Sequence, residues 1–290
     1  MMNVGIIGTG LLGRAVATRL AQTGHRVIAY NRTIAKAQEL SKFGIETANS
    51  PKEVTKKSDI VIIIVKDSPA IESISFSKDG IVEGKHDNLI VANMSTISPI
   101  HSRRISKMFS DNGIFMIDTP VMGGPPLAEK GELVVIAGGS KELFEKCMPI
   151  FRSIAQKSYH LGPNGSGHAM KLALNLQIAL LAISISEGIL LAKKSGLDPL
   201  IFLDVLNSTY FRTGMSINKG PKMVKGSFEP SFHLDMMQKD LDEINYTAHE
   251  LGTNLPAANL ANELYKNAVK SGLSELDYTG ILEYLERNQD

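Results

Sequence analysis

The sequence predicts an α/β fold in which a doubly wound parallel sheet is followed by a second, all-helical domain. Three observations support this prediction. Short apolar runs alternate with helical stretches through the first half of the chain, and a glycine-rich turn joins the first run to the first helix. Beyond Gly162 the strand pattern stops, and nearly every later segment has helical periodicity.

The elements of the first domain follow one another in strand–helix order. Residues 4–7 read as a buried strand, 11–22 as a helix and 26–30 as a second strand. Further β-rich runs lie at residues 59–65, 89–92, 114–117 and 133–137. Helices that begin near Ser or Pro are predicted at residues 51–57, 69–74, 99–109 and 141–154. This alternation implies a parallel sheet whose ligands lie beyond the carboxyl ends of its strands.

The Gly/Pro-rich segment 161–165 marks the predicted domain boundary. It divides the chain into a nucleotide-binding domain, 1–162, and a helical domain, 163–290. Helices are predicted at residues 166–195, 199–207, 235–251 and 256–271, and residues 212–232 read as a loop or broken helix. The apolar stretch 172–192 contains Asn175, Gln177 and Glu187, so it predicts a buried helix of a soluble protein that a second domain or partner subunit covers.

The composition excludes several classes of function. The 290 residues are 43% hydrophobic with a net charge of +1, and no basic stripe with interleaved aromatics indicates a nucleic-acid partner. Cys147 is the single cysteine and the seven histidines lack metal-ligand spacing, so no disulfide and no metal site are expected. Because residues 1–8 already read as a strand rather than a leader, we expect a cytoplasmic protein without a membrane span.

Gly8, Gly10 and Gly13 form a G-x-G-x-x-G motif between the first strand and the first helix. In a Rossmann fold, the first glycine permits a tight turn, the second admits a pyrophosphate and the third lets helix and strand approach. The phosphates then meet N–H groups at a helix N-terminus. The motif therefore predicts a dinucleotide site, and a purely structural glycine turn is the alternative.

The residues after the second predicted strand indicate which dinucleotide binds. NAD-binding proteins usually carry an acidic residue there, whereas this chain has Asn31, Arg32 and Thr33, with Lys36 nearby. A guanidinium can bind the 2′-phosphate of NADP that a carboxylate would repel. We therefore expect NADP(H). In the alternative, Arg32 is a solvated surface charge and the enzyme also accepts NAD.

Lys171 and Asn175 are candidates for catalysis because they lie one turn apart on the same face of the long predicted helix. The positive end of the helix dipole, with desolvation, would lower the pKa of Lys171 toward the range of a general acid or base. A solvated surface lysine is the alternative. His168 is a rival acid, although a structural role at the helix end is the stronger interpretation.

Two segments that follow predicted strands could bind substrate. Ser95 and Thr96 come after one strand, where their hydroxyls would face the cofactor crevice, although Thr96 or Ser98 could instead cap the next helix. Gly123 and Gly124 follow the next strand, and their N–H groups could bind a carboxylate.

Several motifs in order make the chain resemble the β-hydroxyacid dehydrogenases, most closely the NADPH-dependent glyoxylate/succinic semialdehyde reductases. They are G-T-G-L-L-G, N-R-T, S-T-I-S-P, D-T-P-V-M-G-G, A-E-K-G-E-L, G-S-G-H-A-M-K-L-A-L-N, K-G-P-K-M, Q-K-D-L and L-D-Y-T. The resemblance implies a Rossmann domain and a helical domain with the active site in their cleft. It also implies a homodimer or homotetramer assembled through the long helix.

The resemblance assigns roles to individual residues. Lys171 would protonate the carbonyl oxygen as NADPH delivers hydride, Asn175 would orient Lys171, and Asp240 would close over the nicotinamide end. The expected substrate-binding residues are Ser95, Thr96, Met122, Gly123, Gly124 and Asp240. The expected cofactor-binding residues are Gly8, Thr9, Gly10, Leu11, Leu12, Gly13, Asn31, Arg32, Thr33, Lys36, Val65, Lys66, Ser95, Phe232 and Lys239.

One departure from the family concerns substrate choice. Met122 replaces a serine whose hydroxyl would help to bind the substrate carboxylate, and a thioether donates no hydrogen bond. The leading hypothesis is reduction of a small carboxylate-bearing aldehyde, glyoxylate or succinic semialdehyde. Oxidation of 3-hydroxyisobutyrate or another 3-hydroxyacid, imine reduction, and a non-catalytic NADP-binding role are the alternatives.

Overall fold

The structure, a computed structural model, describes residues 1–288 and divides into two compact units, Met1–Lys171 and Leu172–Asp290. The sequence analysis places the boundary at Gly162, before the long helix. The units divide later because the first turn of that helix belongs with the first unit. There, the Gly165 N–H donates to Asp118 at 2.5 Å and the Lys171 ammonium donates to the Val121 carbonyl at 2.8 Å.

A six-stranded parallel sheet forms the centre of the first unit, as predicted. Its strands are β1 (Asn3–Ile7), β2 (Arg26–Tyr30), β3 (Glu46–Thr47), β4 (Ile60–Ile63), β5 (Ile90–Asn93) and β6 (Phe115–Asp118), in the spatial order β3-β2-β1-β4-β5-β6. The order reverses direction between β1 and β4, which places the carboxyl ends of these strands at the topological switch point. The central strands are mostly apolar because helices cover both faces of the sheet.

The helices of the first unit bury one apolar core on each face of this sheet. They are α1 (Leu11–Gln22), α2 (Ile34–Gln38), α3 (Pro51–Lys56), α4 (Ser68–Phe76), α5 (Pro99–Asp111), α6 (Pro125–Lys130) and α7 (Lys141–Ile154). One core contains Ile6, Leu20 and Phe151, and the other contains Ile63 and Phe109. Ser50, Asp67, Ser98 and Ser140 cap the helices that follow them, each accepting a bond from a backbone N–H.

The prediction for residues 133–137 is wrong in its sheet assignment. This segment is strand β8 (Leu133–Ala137), but it lies in a separate three-stranded sheet with β7 (Val121–Met122) and β9 (Ala155–His160). The chain reverses after β6, so β8 pairs antiparallel with β7 and parallel with β9. The polar sequence of β9 shows no apolar alternation, which is why no strand was expected there.

The second unit is helical, as predicted. It contains the end of α8 (Ser166–Lys194) and the helices α9 (Pro199–Asn207), α10 (Gly214–Asn218), α11 (Gly220–Val224), α12 (Leu234–Glu250), α13 (Pro256–Lys270) and α14 (Ile281–Arg287). Within residues 212–232, α10 and α11 form a broken helix, and the remaining residues after Val224 form a loop. A core that includes Leu241, Tyr265 and Ile281 joins α12, α13 and α14.

Candidate functional site

The three glycines of the turn between β1 and α1 have different surroundings. Gly8 has φ +103°, and a Cβ there would overlap the Ile64 carbonyl oxygen; a Cβ on Gly13 would overlap the carbonyl oxygen of Gly8. At Gly10 the φ angle is −68°, which any residue adopts, and a Cβ would meet no atom within 4 Å. The protein itself therefore requires glycine at positions 8 and 13, whereas at position 10 the space lies open to a ligand.

The N-terminus of α1 fits a pyrophosphate. No side chain caps this helix, whose first residues are Leu11 and Leu12, and Leu11 is 44% exposed. The hydroxyl of Thr9 is buried and has no hydrogen-bond partner within residues 1–288. Backbone N–H groups at a helix N-terminus and an unsatisfied hydroxyl suit phosphate oxygens. This part of the chain thus supplies what a dinucleotide needs.

The predicted ribose-binding residues lie beside the glycine turn. The Asn31 side-chain oxygen accepts a hydrogen bond from the Thr9 N–H at 3.2 Å, and its amide donates to the Thr33 carbonyl at 3.0 Å. Arg32, Thr33 and Lys36 are exposed. No carboxylate occurs within residues 31–36, so this edge carries positive charge.

The ends of β4 and β5 bring two further predicted residues together. The Ser95 hydroxyl accepts the Val65 N–H at 2.9 Å, and the Ser95 N–H donates to the side-chain oxygen of Asn93 at 3.1 Å. Ser98 caps α5 through the His101 N–H at 3.0 Å, so this role does not fall to Thr96. Lys66, which is exposed, follows Val65 after β4, and Thr96, which is half-buried, follows Ser95 after β5.

Lys171 is half-buried and lies next to the loop predicted to bind substrate. Its ammonium donates to the Val121 carbonyl at 2.8 Å and contacts the Met122 sulfur at 3.5 Å. The next residue, Gly123, has φ +109°, and Gly124 is the N-cap of α6. The loop that contacts the proton donor thus continues into two backbone N–H groups, and such a combination can serve a substrate that carries both a carbonyl and a carboxylate.

His168 belongs to a buried polar cluster that the sequence analysis missed. Its Nε2 lies 3.7 Å from the Asp118 carboxylate and 3.4 Å from the Asn93 amide, and all three side chains are fully buried. Asp118 also accepts the Ser102 hydroxyl at 2.5 Å. The sequence does contain a signal for this cluster, because Asn93 and Asp118 are the polar last residues of neighbouring strands. Full burial favours the structural interpretation of His168.

The predicted residues of the second unit form two groups. The Asn175 amide donates to Asp240 at 2.5 Å, and the Lys239 ammonium contacts the other oxygen of the same carboxylate at 2.5 Å. Asn175 and Asp240 are almost fully buried. Phe232 packs edge-on against Tyr278, with ring centroids 6.1 Å apart. Within residues 1–288 no cluster of three or more His, Cys, Asp or Glu could hold a metal ion.

The chain matches two family models that together span most of its length. Residues 3–162 match the NAD-binding domain of 6-phosphogluconate dehydrogenase. Residues 165–285 match the NAD-binding domain of NADP-dependent 3-hydroxyisobutyrate dehydrogenase. The chain is therefore an NAD(P)-dependent oxidoreductase, and the expected cofactor class is confirmed.

Individual relatives agree with these matches over their full lengths. The chain is 34% identical to glyoxylate/succinic semialdehyde reductase 1 of Arabidopsis thaliana over 289 residues, which covers 100% of both chains. It is 32% identical to 2-hydroxy-3-oxopropionate reductase of Escherichia coli, covering 98% of this chain and 97% of that one. A crystal structure of 3-hydroxyisobutyrate dehydrogenase from Salmonella typhimurium superposes with a TM-score of 0.89 at 25% identity, covering 98% and 99% of the two chains. The chain therefore belongs to the β-hydroxyacid dehydrogenase family, as its motifs predict.

Proposed function

We propose that this protein is an NADPH-dependent reductase of a small carboxylate-bearing aldehyde, with Lys171 as the proton donor. The observation that carries the proposal is the position of the Lys171 ammonium, 2.8 Å from the Val121 carbonyl and 3.5 Å from the Met122 sulfur, in the loop that continues into Gly123 and Gly124. Two relatives are named for glyoxylate, succinic semialdehyde and 2-hydroxy-3-oxopropionate. Each of these molecules combines a carbonyl with a carboxylate.

Lys171 would supply the proton that the reduction consumes. NADPH, when bound, supplies the hydride, and hydride addition to a carbonyl leaves negative charge on its oxygen. An ammonium within hydrogen-bonding distance stabilises that charge and then donates the proton. The bond to the Val121 carbonyl restrains the flexible lysine side chain before substrate arrives, which lowers the entropy lost on reaction.

The substrate carboxylate would be bound chiefly by backbone groups. Gly123 and Gly124 carry the backbone N–H groups proposed to bind it, because the Ser95 hydroxyl already accepts the Val65 N–H. Met122 offers no donor and places its sulfur 3.5 Å from the Lys171 ammonium. We therefore propose that Met122 makes the pocket less polar than a serine would and reduces its preference for the smallest acids.

Asn175 and Asp240 would act as a pair rather than separately. Asp240 is 1% exposed, so its charge needs partners, and Asn175 and Lys239 provide them at 2.5 Å each. The pair fixes the Asn175 amide, which the family resemblance assigns to orienting Lys171. Lys239 would in turn be held for its contact with the cofactor.

Oxidation of a 3-hydroxyacid is the second candidate, because residues 165–285 match a model from NADP-dependent 3-hydroxyisobutyrate dehydrogenase. The same residues would serve that reaction, with neutral Lys171 accepting the proton from the hydroxyl group. The cationic edge at Arg32 favours NADPH, and NADPH pools ordinarily drive reduction. Reduction is therefore the first candidate.

A turnover panel tests the proposal. Purified protein is assayed with NADPH and NADH against glyoxylate, succinic semialdehyde and 2-hydroxy-3-oxopropionate, and with NADP⁺ and NAD⁺ against 3-hydroxyisobutyrate. A neutral aldehyde and a cyclic imine serve as controls. We expect the highest kcat/KM for a carboxylate-bearing aldehyde with NADPH. A higher value for the hydroxyacid, or for the imine, would reject the proposed reaction, and tight NADPH binding without turnover would indicate a non-catalytic protein.

A further inference from the structure

The segment that precedes α12 is bound to the segment that precedes α14. The Asp277 N–H donates to the Phe228 carbonyl at 2.9 Å, the Tyr278 N–H to the Phe232 carbonyl at 2.9 Å, and the Leu234 N–H to the Leu276 carbonyl at 2.8 Å. These bonds connect residues 228–234 with residues 276–278. The second segment belongs to the L-D-Y-T motif, and the K-G-P-K-M motif begins with Lys219. The proposed chemistry uses neither motif.

The Asp277 carboxylate lies at the centre of this contact and is 1% exposed. One oxygen accepts the Ser231 N–H and the Ser231 hydroxyl, each at 3.0 Å, and the Phe232 N–H at 3.4 Å. The other oxygen accepts the Thr279 hydroxyl at 2.8 Å. One carboxylate thus binds the backbone of the loop and the turn behind it.

Lys219 neutralises this buried charge from the end of α10. Its ammonium lies 2.6 Å from the Asp277 carboxylate and donates to the Ser231 hydroxyl at 2.8 Å, and it lies 4.7 Å from the centroid of the Tyr278 ring. Burial alone would raise the pKa of Asp277, but the bond to Lys219 and its charge outweigh burial and hold that pKa below its ordinary value. The carboxylate is therefore ionised at neutral pH, which suits its role as an acceptor of several bonds.

Apolar packing holds part of the loop. Within residues 225–233, which connect α11 to α12, Phe228 is buried and the half-buried Phe232 packs against the core of the second unit. The hydrogen bonds of Asp277 and Lys219 add a polar restraint on Ser231 and on the Phe232 backbone. Because α12 begins at Leu234, they also fix the start of the helix that carries Lys239 and Asp240.

We propose that Asp277 and Lys219 are positioning residues that hold Phe232 and the start of α12 in the conformation that binds the nicotinamide end of the cofactor. The inference rests on the proposed function and on the family resemblance, which assigns Phe232 and Lys239 to the cofactor. Without the ion pair, the loop is mobile in the free protein, and cofactor binding has to order it. Affinity for NADPH then falls while the proton donor is unchanged.

Four variants test this inference, and each is measured for thermal stability, for the NADPH dissociation constant without substrate, and for kcat and KM. For Asp277→Asn and Lys219→Met, we expect NADPH binding to weaken by about tenfold, the scale of ordering a loop on binding, with a smaller effect on kcat. Lys219→Arg keeps the charge and restores most of the affinity. Tyr265→Phe is the control, because it removes the 3.0 Å bond to the Tyr278 carbonyl and leaves Asp277 and Phe232 untouched.

The control separates positioning from general destabilisation. Two results together support the inference: Tyr265→Phe loses stability but keeps its affinity for NADPH, and Lys219→Met binds NADPH more weakly. Wild-type affinity in Lys219→Met, or equal weakening in Tyr265→Phe, overturns it. If Asp277→Asn does not fold, Ser231→Ala replaces it. This variant removes only the bond from the Ser231 hydroxyl to Asp277, and the NADPH dissociation constant is measured in the same way. Because binding is measured without substrate, this result is independent of whether any aldehyde is reduced.

Discussion

Gly10 and Gly13 look equivalent in the sequence motif but differ in what surrounds them. A Cβ on Gly13 would overlap the Gly8 carbonyl oxygen, whereas a Cβ on Gly10 would enter open space in front of α1. The fold itself therefore requires glycine at position 13. A requirement for glycine at position 10 can come only from a bound ligand. The two positions therefore separate folding from cofactor binding.

Gly10→Ala is expected to leave the free energy of unfolding within about 0.5 kcal/mol of the wild type, because the new methyl group meets no atom. It should weaken NADPH binding by more than roughly tenfold, a loss of at least about 1.4 kcal/mol. Gly13→Ala should lower stability by about 1–3 kcal/mol through overpacking. Urea unfolding and cofactor titration measure both effects. Wild-type NADPH binding by Gly10→Ala would show that the phosphates do not approach this turn.

Arg32 tests the choice between the two cofactors. Arg32→Ala should weaken NADPH by roughly 1–3 kcal/mol, the loss of a charge-assisted contact with the 2′-phosphate, and leave NADH nearly unchanged. Arg26→Ala is a matched control, since Arg26 is an exposed arginine at the opposite end of the same strand. Equal losses for NADPH and NADH, measured by fluorescence titration, would exclude the proposed phosphate contact.

Local patterns in the sequence predict the glycine turn, the position of Arg32 and the spacing of Lys171 and Asn175. They do not predict the partners of buried polar groups. Asp118 binds Ser102 and Gly165, and Asp277 binds Lys219 and Ser231, across separations that no local pattern reveals. The spacing within a helix or turn is a local property, whereas these contacts depend on the packed fold.

Elements with a strong apolar period are predicted with accurate bounds. Helix α1 and strands β2 and β8 begin and end where their patterns indicate. Strand β9 was missed because it is half-exposed and polar, and β8 was assigned to the wrong sheet because a strand's pattern does not identify its neighbours. The antiparallel pairing of β7 with β8 requires the chain to reverse between them, and the apolar pattern does not encode that reversal.

Helix α8 runs from the first unit into the second. Its first six residues, which include His168 and Lys171, belong to the first unit, and Asn175 belongs to the second. The predicted boundary at Gly162 is based on Gly/Pro residues before the helix, whereas the packing of the first turn is a tertiary effect. A single continuous helix keeps the spacing of Lys171 and Asn175 fixed.

The outer surface of the helical unit supports the proposed homodimer or homotetramer. By its length and composition alone, helix α8 could cross a membrane. Only 39% of its most apolar 18-residue stretch is buried within one chain. Leu191 on α8 and Ile201 and Val205 on α9 are more than half exposed. A contiguous patch of exposed apolar side chains is typical of protein interfaces, and we propose that these three residues belong to one. The cytoplasmic location stays a prediction.

Sedimentation equilibrium measures the proposed assembly. The wild type should have the mass of two or four chains, and Ile201→Asp combined with Val205→Asp should shift it toward the mass of one chain, because charges are costly in an apolar interface. Leu251→Asp is the control at another exposed leucine. A wild-type protein with the mass of one chain would contradict the proposal.

The most direct test of the whole account is the kcat of Lys171→Met on the best substrate of the panel, measured beside the NADPH dissociation constant. Methionine keeps much of the side-chain volume and removes the ammonium. We expect kcat to fall by roughly 10²–10⁴-fold, the usual contribution of a general acid, with NADPH binding unchanged. Lys194→Met, an exposed lysine near the other end of α8, should behave as the wild type. A Lys171→Met enzyme that keeps the wild-type kcat would show that another group donates the proton.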